Sequence, residues 1–319
     1  MENVTGWVRV AVLALLWGSG FLWIKLALTG LSPVHLTLVR CALGALTLLV
    51  LALATRQRLP RDRRTWGRLV IAAFFCNALP FALFGIGERT VDSGIAGVMN
   101  ATTPLWSLLI GVLLGTERRL GPARLLGLVL GFGGVLVIFA PWRQSGLLSA
   151  GALALLAAGL SYAIAFAYMA RKLPPGDTPL ALSAAQLTTA TALTALALPV
   201  STTAPHLNLT ALAAVTILGV FGTGITFYLN YRVLTDEGPT AAATVGYLLP
   251  VVSVALGALV LGEPLTPRVV GGMVIVLAAV ALTRWPAQAK APASSPGSLA
   301  TPKCLAIPPV GGKWPKSLP

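Results

Sequence analysis

PLWSLLIGVLLGTE (residues 104–117) and PVVSVALGALVLGE (residues 250–263) each run from a proline to a glutamate. Five residue types recur at matching places. Pro104, Ser107, Gly111, Leu113 and Glu117 answer Pro250, Ser253, Gly257, Leu259 and Glu263. The sequence around each copy states the solvent for which the phrase is written. The chain is 56% hydrophobic and 10% charged, with mean hydropathy +0.84. Ordinary soluble domains carry roughly 25% charged residues. The composition is that of a membrane protein.

A helix that crosses about 30 Å of hydrocarbon needs roughly 20 apolar residues. Ten stretches qualify, with limits near 8–28, 33–54, 66–87, 92–115, 123–141, 148–170, 179–199, 209–232, 240–261 and 267–284. The connections are short and rich in turn formers, as at Ser32-Pro33, Pro174-Pro175-Gly176-Asp177 and Glu237-Gly238-Pro239. The first stretch lacks the basic cluster of a signal peptide and is longer than its apolar core, so it reads as a retained span. Residues 8–141 and 148–284 form two halves of five spans. Residues 285–319, rich in Ala, Pro, Ser, Gly and Lys, read as a disordered tail. Cys41, Cys76 and Cys304 have neither disulfide nor metal spacing. The net charge of +14 does not point to nucleic acid, because the Arg and Lys residues lie between apolar runs or in the tail rather than along an aromatic stripe.

The basic residues orient the chain instead. Arg56, Arg58, Arg61, Arg63, Arg64 and Arg68 fill one connection, Arg118, Arg119 and Arg124 another, and four lysines the tail. The alternate ends hold only Lys25, Arg89, Arg143 and Arg268. Both termini are therefore expected in the cytoplasm. Pro104 lies in the fourth span and Pro250 in the ninth, and five crossings reverse the direction of the chain. The two halves are expected to be inverted repeats, an architecture in which a midplane site opens alternately to each side. Arg40 matches Gln186 at nearly the same interval, after Ser32-Pro33 and Thr178-Pro179.

LLWGSGFLWIKLAL, the arginine of PVHLTLVRCALGAL, SGIAGVMNATTPLWSLLIGVLLGTERR and its partner AAATVGYLLPVVSVALGALVLGEPLTPRVVGGMVIVLAAVAL carry a family likeness. From about residue 8 to 284 the chain resembles the EamA family of the drug/metabolite transporter superfamily. That resemblance implies ten helices with both ends inside, and a central cavity lined mainly by helices 1, 3, 4, 6, 8 and 9. It also implies a permease of the cell membrane, with substrates such as amino acids, other small metabolites or drugs, often exported. No cofactor or metal is implied.

Within the spans, Pro80, Pro104 and Pro250 each remove one helical N–H and leave the carbonyls of Cys76, Asn100 and Gly246 without that partner. Such groups must meet protein or water. The kinks either pack on neighbouring helices or place Asn100 and Gly246 on facing walls of a wet cavity. Asn77 and Asn100 are candidates to bind cargo through their amides, or to tie helices together. Trp17, Tyr162, Tyr228 and Tyr247 lie too deep to be interfacial anchors, and with Ser19 they are read as cavity lining or as packing. Lys25 is expected to snorkel. Arg40 is expected to snorkel as well or to pair with helix-end carbonyls, with a direct substrate role, or a charge or coupling role, as the alternative. Glu88 is the one candidate for proton coupling, since no Asp or Glu lies near the middle of a span. Glu117 and Glu263 are expected to tie helix ends to the loops that follow.

The glycine pairs Gly111/Gly115 and Gly127/Gly131 have GxxxG spacing, which serves close packing within one chain or a homodimer through the fifth span. A membrane-embedded enzyme would need a buried acid, base, nucleophile or metal set, and His35 and His206 lie near span ends. A channel would need a filter loop or charged ring. Neither pattern is present. The sequence therefore favours a carrier of small amphipathic metabolites.

Overall fold

The computed structural model describes residues 2–114, 122–139, 149–173, 178–200, 204–233 and 239–288, and among them there is no strand. Helical rods follow one another in chain order: α1 (residues 2–27), α2 (Pro33–Ala54), α3 (Arg63–Gly87), α4 (Ser93–Leu113), α5 (Pro122–Phe139), α6 (Ala150–Lys172), α7 (Pro179–Leu196), α8 (residues 209–232), α9 (Pro239–Leu261) and α10 (Pro267–Gln288). Among the described residues, six helices are long and apolar enough to cross a membrane: Gly6–Ala27 within α1, then α2, α3, α4, α6, and Leu209–Asn230 within α8. α10 runs to Gln288, so residues 285–288, expected in a disordered tail, continue the last helix. The remainder of that expected tail lies outside the described residues.

The helix starts follow local chemistry. Pro33 and Pro179 sit in the first turns of α2 and α7, where the missing N–H costs nothing. Side-chain oxygens take up free N–H groups elsewhere: Ser149 accepts from Ala152, and Asn208 from Ala211 at 2.7 Å. Asp62 accepts from the backbone of Arg64 and Thr65 at 3.1 and 3.0 Å. These bonds, that of Arg64 foremost, hold the Asp62 carboxyl below its ordinary range, partial desolvation opposing them.

Helix pairs bury one another through small residues. α5 packs along α10, α2 along α7, α3 on α6, and α1 on both α8 and α9. The first half of α4 lies on α9 and its second half on α6. Leu46, Val50 and Leu53 on α2, and Leu126, Val129 and Leu136 on α5, remain exposed. Such an apolar exterior is what lipid contact requires, since tails are as apolar as leucine. Gly131 and Gly134 of α5 are taken up within the chain: a methyl at Gly131 would overlap Leu105, and one at Gly134 would press on Val276.

Four interruptions position the interior. α1 is interrupted at Ser19, whose hydroxyl donates to the Leu16 carbonyl at 3.0 Å. α4 tightens at Ala101 and Thr102, just before Pro104. Both α3 and α8 widen into π-helix, at Phe74–Ala78 and Val220–Ile225 respectively. A π-turn inside an α-helix frees backbone groups and often marks a functional site.

Candidate functional site

The two π-turns frame the interior. In α3, the Phe75 carbonyl accepts from the Ser161 hydroxyl of α6 at 2.7 Å. Asn77 lies in the same π-turn, is fully buried, and its Oδ1 accepts from Gln186 Nε2 of α7 at 2.6 Å. In α8, Thr223 occupies the π-turn and donates to the Leu218 carbonyl at 3.0 Å. Its hydroxyl oxygen accepts from Arg40 Nε of α2 at 2.9 Å. The Arg40 guanidinium lies 3.7 Å from the centroid of the Phe81 ring of α3, in cation–π geometry. Arg40 is only 8% exposed. It neither snorkels nor meets a helix-end carbonyl as expected, and a fixed positive charge stands inside the bundle.

Aromatic rings extend from this charge. Phe21, Phe84, Tyr162 and Phe166 form a ladder from α1 through α3 to α6, with successive centroids 5.5, 6.1 and 6.0 Å apart. Tyr162, Phe227 and Tyr228 pack against the core that holds Cys41 and Phe81. Trp17 meets Phe227 edge-on at 6.5 Å and packs on the cluster that includes Val245 and Leu249.

The remaining sequence-derived candidates separate into two groups. Asn100 is half-buried and its carbonyl accepts from the Thr103 hydroxyl at 2.8 Å, so the group freed by Pro104 is satisfied one turn away. Gly246 is half-buried, and a methyl placed there would meet no atom of the described residues within 4 Å. Open space therefore adjoins Gly246. The Tyr247 side chain lies outside the described residues. Ser19 uses its hydroxyl locally, donating to Leu16 and accepting from Trp23 Nε1 at 3.3 Å. Pro80 follows the α3 π-turn directly, whereas α9 continues through Pro250 without a break.

One end of the bundle is closely packed. A methyl at Gly97 of α4 would overlap Ser253 of α9, and one at Gly94 would lie 3.1 Å from the Val254 backbone. Glu263 accepts from the N–H groups of Ser93 and Gly94 at 2.7 and 2.9 Å. Its carboxylate thus caps α4 rather than tying α9 to its own following loop; the loop position expected for Glu117 lies outside the described residues. Gly262, at φ +67°, supplies the left-handed turn that brings Glu263 back over the helix end. Lys25 Nζ donates to the carbonyls of Glu88 and Val91 at 2.6 and 2.9 Å, closing the end of α3 rather than snorkelling. The Glu88 carboxyl is fully buried at the same end and makes no hydrogen bond among the described residues. Burial first, then nearby Glu263, raises the Asp92 carboxyl above its usual range, with Lys25 opposing.

Sequence reasoning missed Thr223, Gln186 and Ser161 as site residues. The signal for the first two was available: Gln186 was already matched to Arg40, and Thr223 follows Asn77 at the interval that separates Pro250 from Pro104.

A bundle of apolar helices around a buried charge and an aromatic ladder is the build of a membrane transport protein. The chain matches the EamA-like transporter family over residues 5–140 and again over 149–285, and it belongs to that family. An uncharacterized protein of Pseudomonas aeruginosa is 31% identical over 258 residues, covering 81% of this chain and 86% of that one. An uncharacterized transporter of Bacillus subtilis, YdfC, is 28% identical over 270 residues, covering 82% and 85%. An uncharacterized inner membrane transporter of Escherichia coli, YedA, is 27% identical over 265 residues, covering 80% and 82%. A solved crystal structure shares the fold with TM-score 0.63 at 20% identity, over 90% of this chain and 98% of that chain. The protein is a multi-pass membrane transporter, and its surroundings are a lipid bilayer and a small-molecule cargo.

Proposed function

We propose that this protein is a secondary carrier of the cell membrane that moves a small amphipathic metabolite, outward, by alternating access between two inverted five-helix halves. The observation that carries the reading is the asymmetry of α4 and α9. Ser253, Gly257 and Glu263, from the second copy of the repeated phrase, close on Ser93, Gly94 and Gly97 at one end, while open space adjoins Gly246 further along α9. The first copy supplies Ser107, Gly111 and Glu117, and the positions that answer Gly94 and Gly97 are Thr240 and Ala243. In this reading the phrase occurs twice because each copy closes one side of the membrane.

The helix contacts support the same exchange. Moving every helix on by five positions turns the α3–α6 pair into α8–α1, α1–α9 into α6–α4, and α2–α8 into α7–α3, and each of these pairs is in contact. In this reading, which the positive-inside pattern supports, both termini lie in the cytoplasm and the closely packed end faces outside. The reading does not call on a dimer through α5, whose Gly131 and Gly134 are occupied within the chain. Outward transport rests on the habit of the family.

The test is counterflow in proteoliposomes made with the purified full chain, over a panel of amino acids and lipophilic drugs. A carrier gives saturable uptake that rises when unlabelled cargo is preloaded. Flux that grows linearly with concentration and ignores preloading makes the protein a channel-like facilitator instead. Asn100→Ala and Tyr247→Ala are expected to lower the rate severalfold at unchanged expression.

A further inference from the structure

Arg40 is a guanidinium with most of its donors unused. Of its five N–H groups, the one on Nε reaches Thr223. Among the described residues, no carboxylate is ion-paired with it and no acceptor is bonded to its Nη groups. Those groups are not sealed, because they are absent from the buried polar atoms that lack a partner. They face the small accessible surface that Arg40 retains. The charge cannot be lost, since guanidinium stays protonated in proteins. A charge held inside a membrane bundle calls for a counter-charge or a wet cavity.

The neighbours leave further polar groups uncommitted. The Tyr162 hydroxyl lies within electrostatic reach of Arg40 and makes no hydrogen bond among the described residues. Asn77, one turn from Phe81 on the same face of α3, keeps its Nδ2 buried without an acceptor among the described residues. Glu88 is fully buried at the end of α3, and among the described residues neither of its carboxyl oxygens is hydrogen-bonded or paired with Arg40. The Phe81 face and the Thr223 hydroxyl offset part of the cost of the charge and leave the Nη fork free. An aromatic ladder through Phe84 and Tyr162 begins beside it.

We propose that Arg40, with Tyr162, is the anchor for a carboxylate of the cargo, so that the carrier selects small organic acids and amino acids over uncharged analogues. The forked Nη groups match a carboxylate through two parallel bonds, a geometry that Lys cannot reproduce. The Phe84–Tyr162–Phe166 ladder then receives an apolar or aromatic body. This assignment rests on the carrier reading and narrows its cargo.

The experiment pairs each probe with its carboxamide: L-phenylalanine with phenylalaninamide, L-leucine with leucinamide, and 3-phenylpropionate with 3-phenylpropionamide. Exchange through proteoliposomes and thermal stabilisation of the detergent-purified full chain are both measured. At least one acid is expected to exceed its amide by about tenfold or more, the scale of one strong charged contact. Arg40→Gln is expected to abolish the preference, Arg40→Lys to retain a fraction, and Tyr162→Phe to weaken it about threefold. The wild-type comparison needs no variant, so misfolding of Arg40→Gln does not blunt it. Amides carried as well as acids, or an unchanged preference in a monodisperse Arg40→Gln, overturn the anchor and leave the carrier standing. Absence of any exchange or stabilisation across the panel, amides included, overturns both. Stabilisation by chloride or phosphate that no acid competes away overturns the anchor by showing an inorganic-anion site.

Discussion

Arg40 donates to Thr223, and Gln186 donates to Asn77, through two buried side-chain bonds of 2.9 and 2.6 Å. Gln186 follows Arg40, and Thr223 follows Asn77, by the interval that separates Pro250 from Pro104. Each bond joins α2 or α7 to a π-turn in the opposite half. They are the same contact made twice, once with a charge and once without.

Thr223→Val leaves the Arg40 Nε buried without its acceptor. The expected loss is about 1–3 kcal/mol, the cost of stranding a buried donor. Thermal melting in detergent checks it, and Arg40→Met in the same chain is expected to recover part of the loss because both partners are then apolar.

Gly97→Ala drives a methyl into Ser253 and holds α4 away from α9. Counterflow is expected to fall severalfold, and Ser253→Gly added to it is expected to restore the rate. Failure of the second change to rescue the first means that the defect does not arise at this contact.

Glu263→Gln retains the shape of the α4 cap and removes the charge that faces the Ser93 and Gly94 N–H groups. A loss of about 0.5–2 kcal/mol is expected, the range for helix caps. Faster hydrogen exchange at residues 93–96 is the local readout.

Cysteines at positions 97 and 253 are expected to cross-link in the described state and to stop transport. Cysteines at 107 and 243, matched to them through the repeat, are expected to cross-link only when the opposite side closes. A saturating cargo gradient should shift the yield from one pair to the other, and equal yields under all conditions argue against alternation.

Asp62 sets a pH dependence at the start of α3. Its carboxyl is held below the ordinary range by the folded backbone, so its stabilising bonds are complete above the unfolded value of about 4. They are lost as pH falls through the lower, folded value. Exchange protection of residues 64–66 is expected to drop on acidification, and Asp62→Asn is expected to remove that dependence.

Sequence alone determined the solvent, the all-helical build and the family, because a bilayer demands long apolar runs and these survive as a one-dimensional pattern. It also supplied the repeated phrase and the match of Arg40 to Gln186. It misread Lys25 as snorkelling and Glu263 as tying α9 to its own following loop, and for Arg40 it named snorkelling, helix-end carbonyls or a substrate role without reaching Thr223. In each case the partner lies far away in the chain: Glu88 and Val91, Thr223, and Ser93 with Gly94. Span counting places a residue at a depth along its helix but gives no rotation about the axis, and rotation decides which neighbour a side chain meets. Only the tertiary structure set the two π-turns, the closed contact of Gly97 with Ser253, and the inward turn of Arg40 over Phe81. The reason is physical: the Arg40–Thr223, Gln186–Asn77, Ser161–Phe75 and Gly97–Ser253 contacts form where helices from the two halves press together, far apart in the chain.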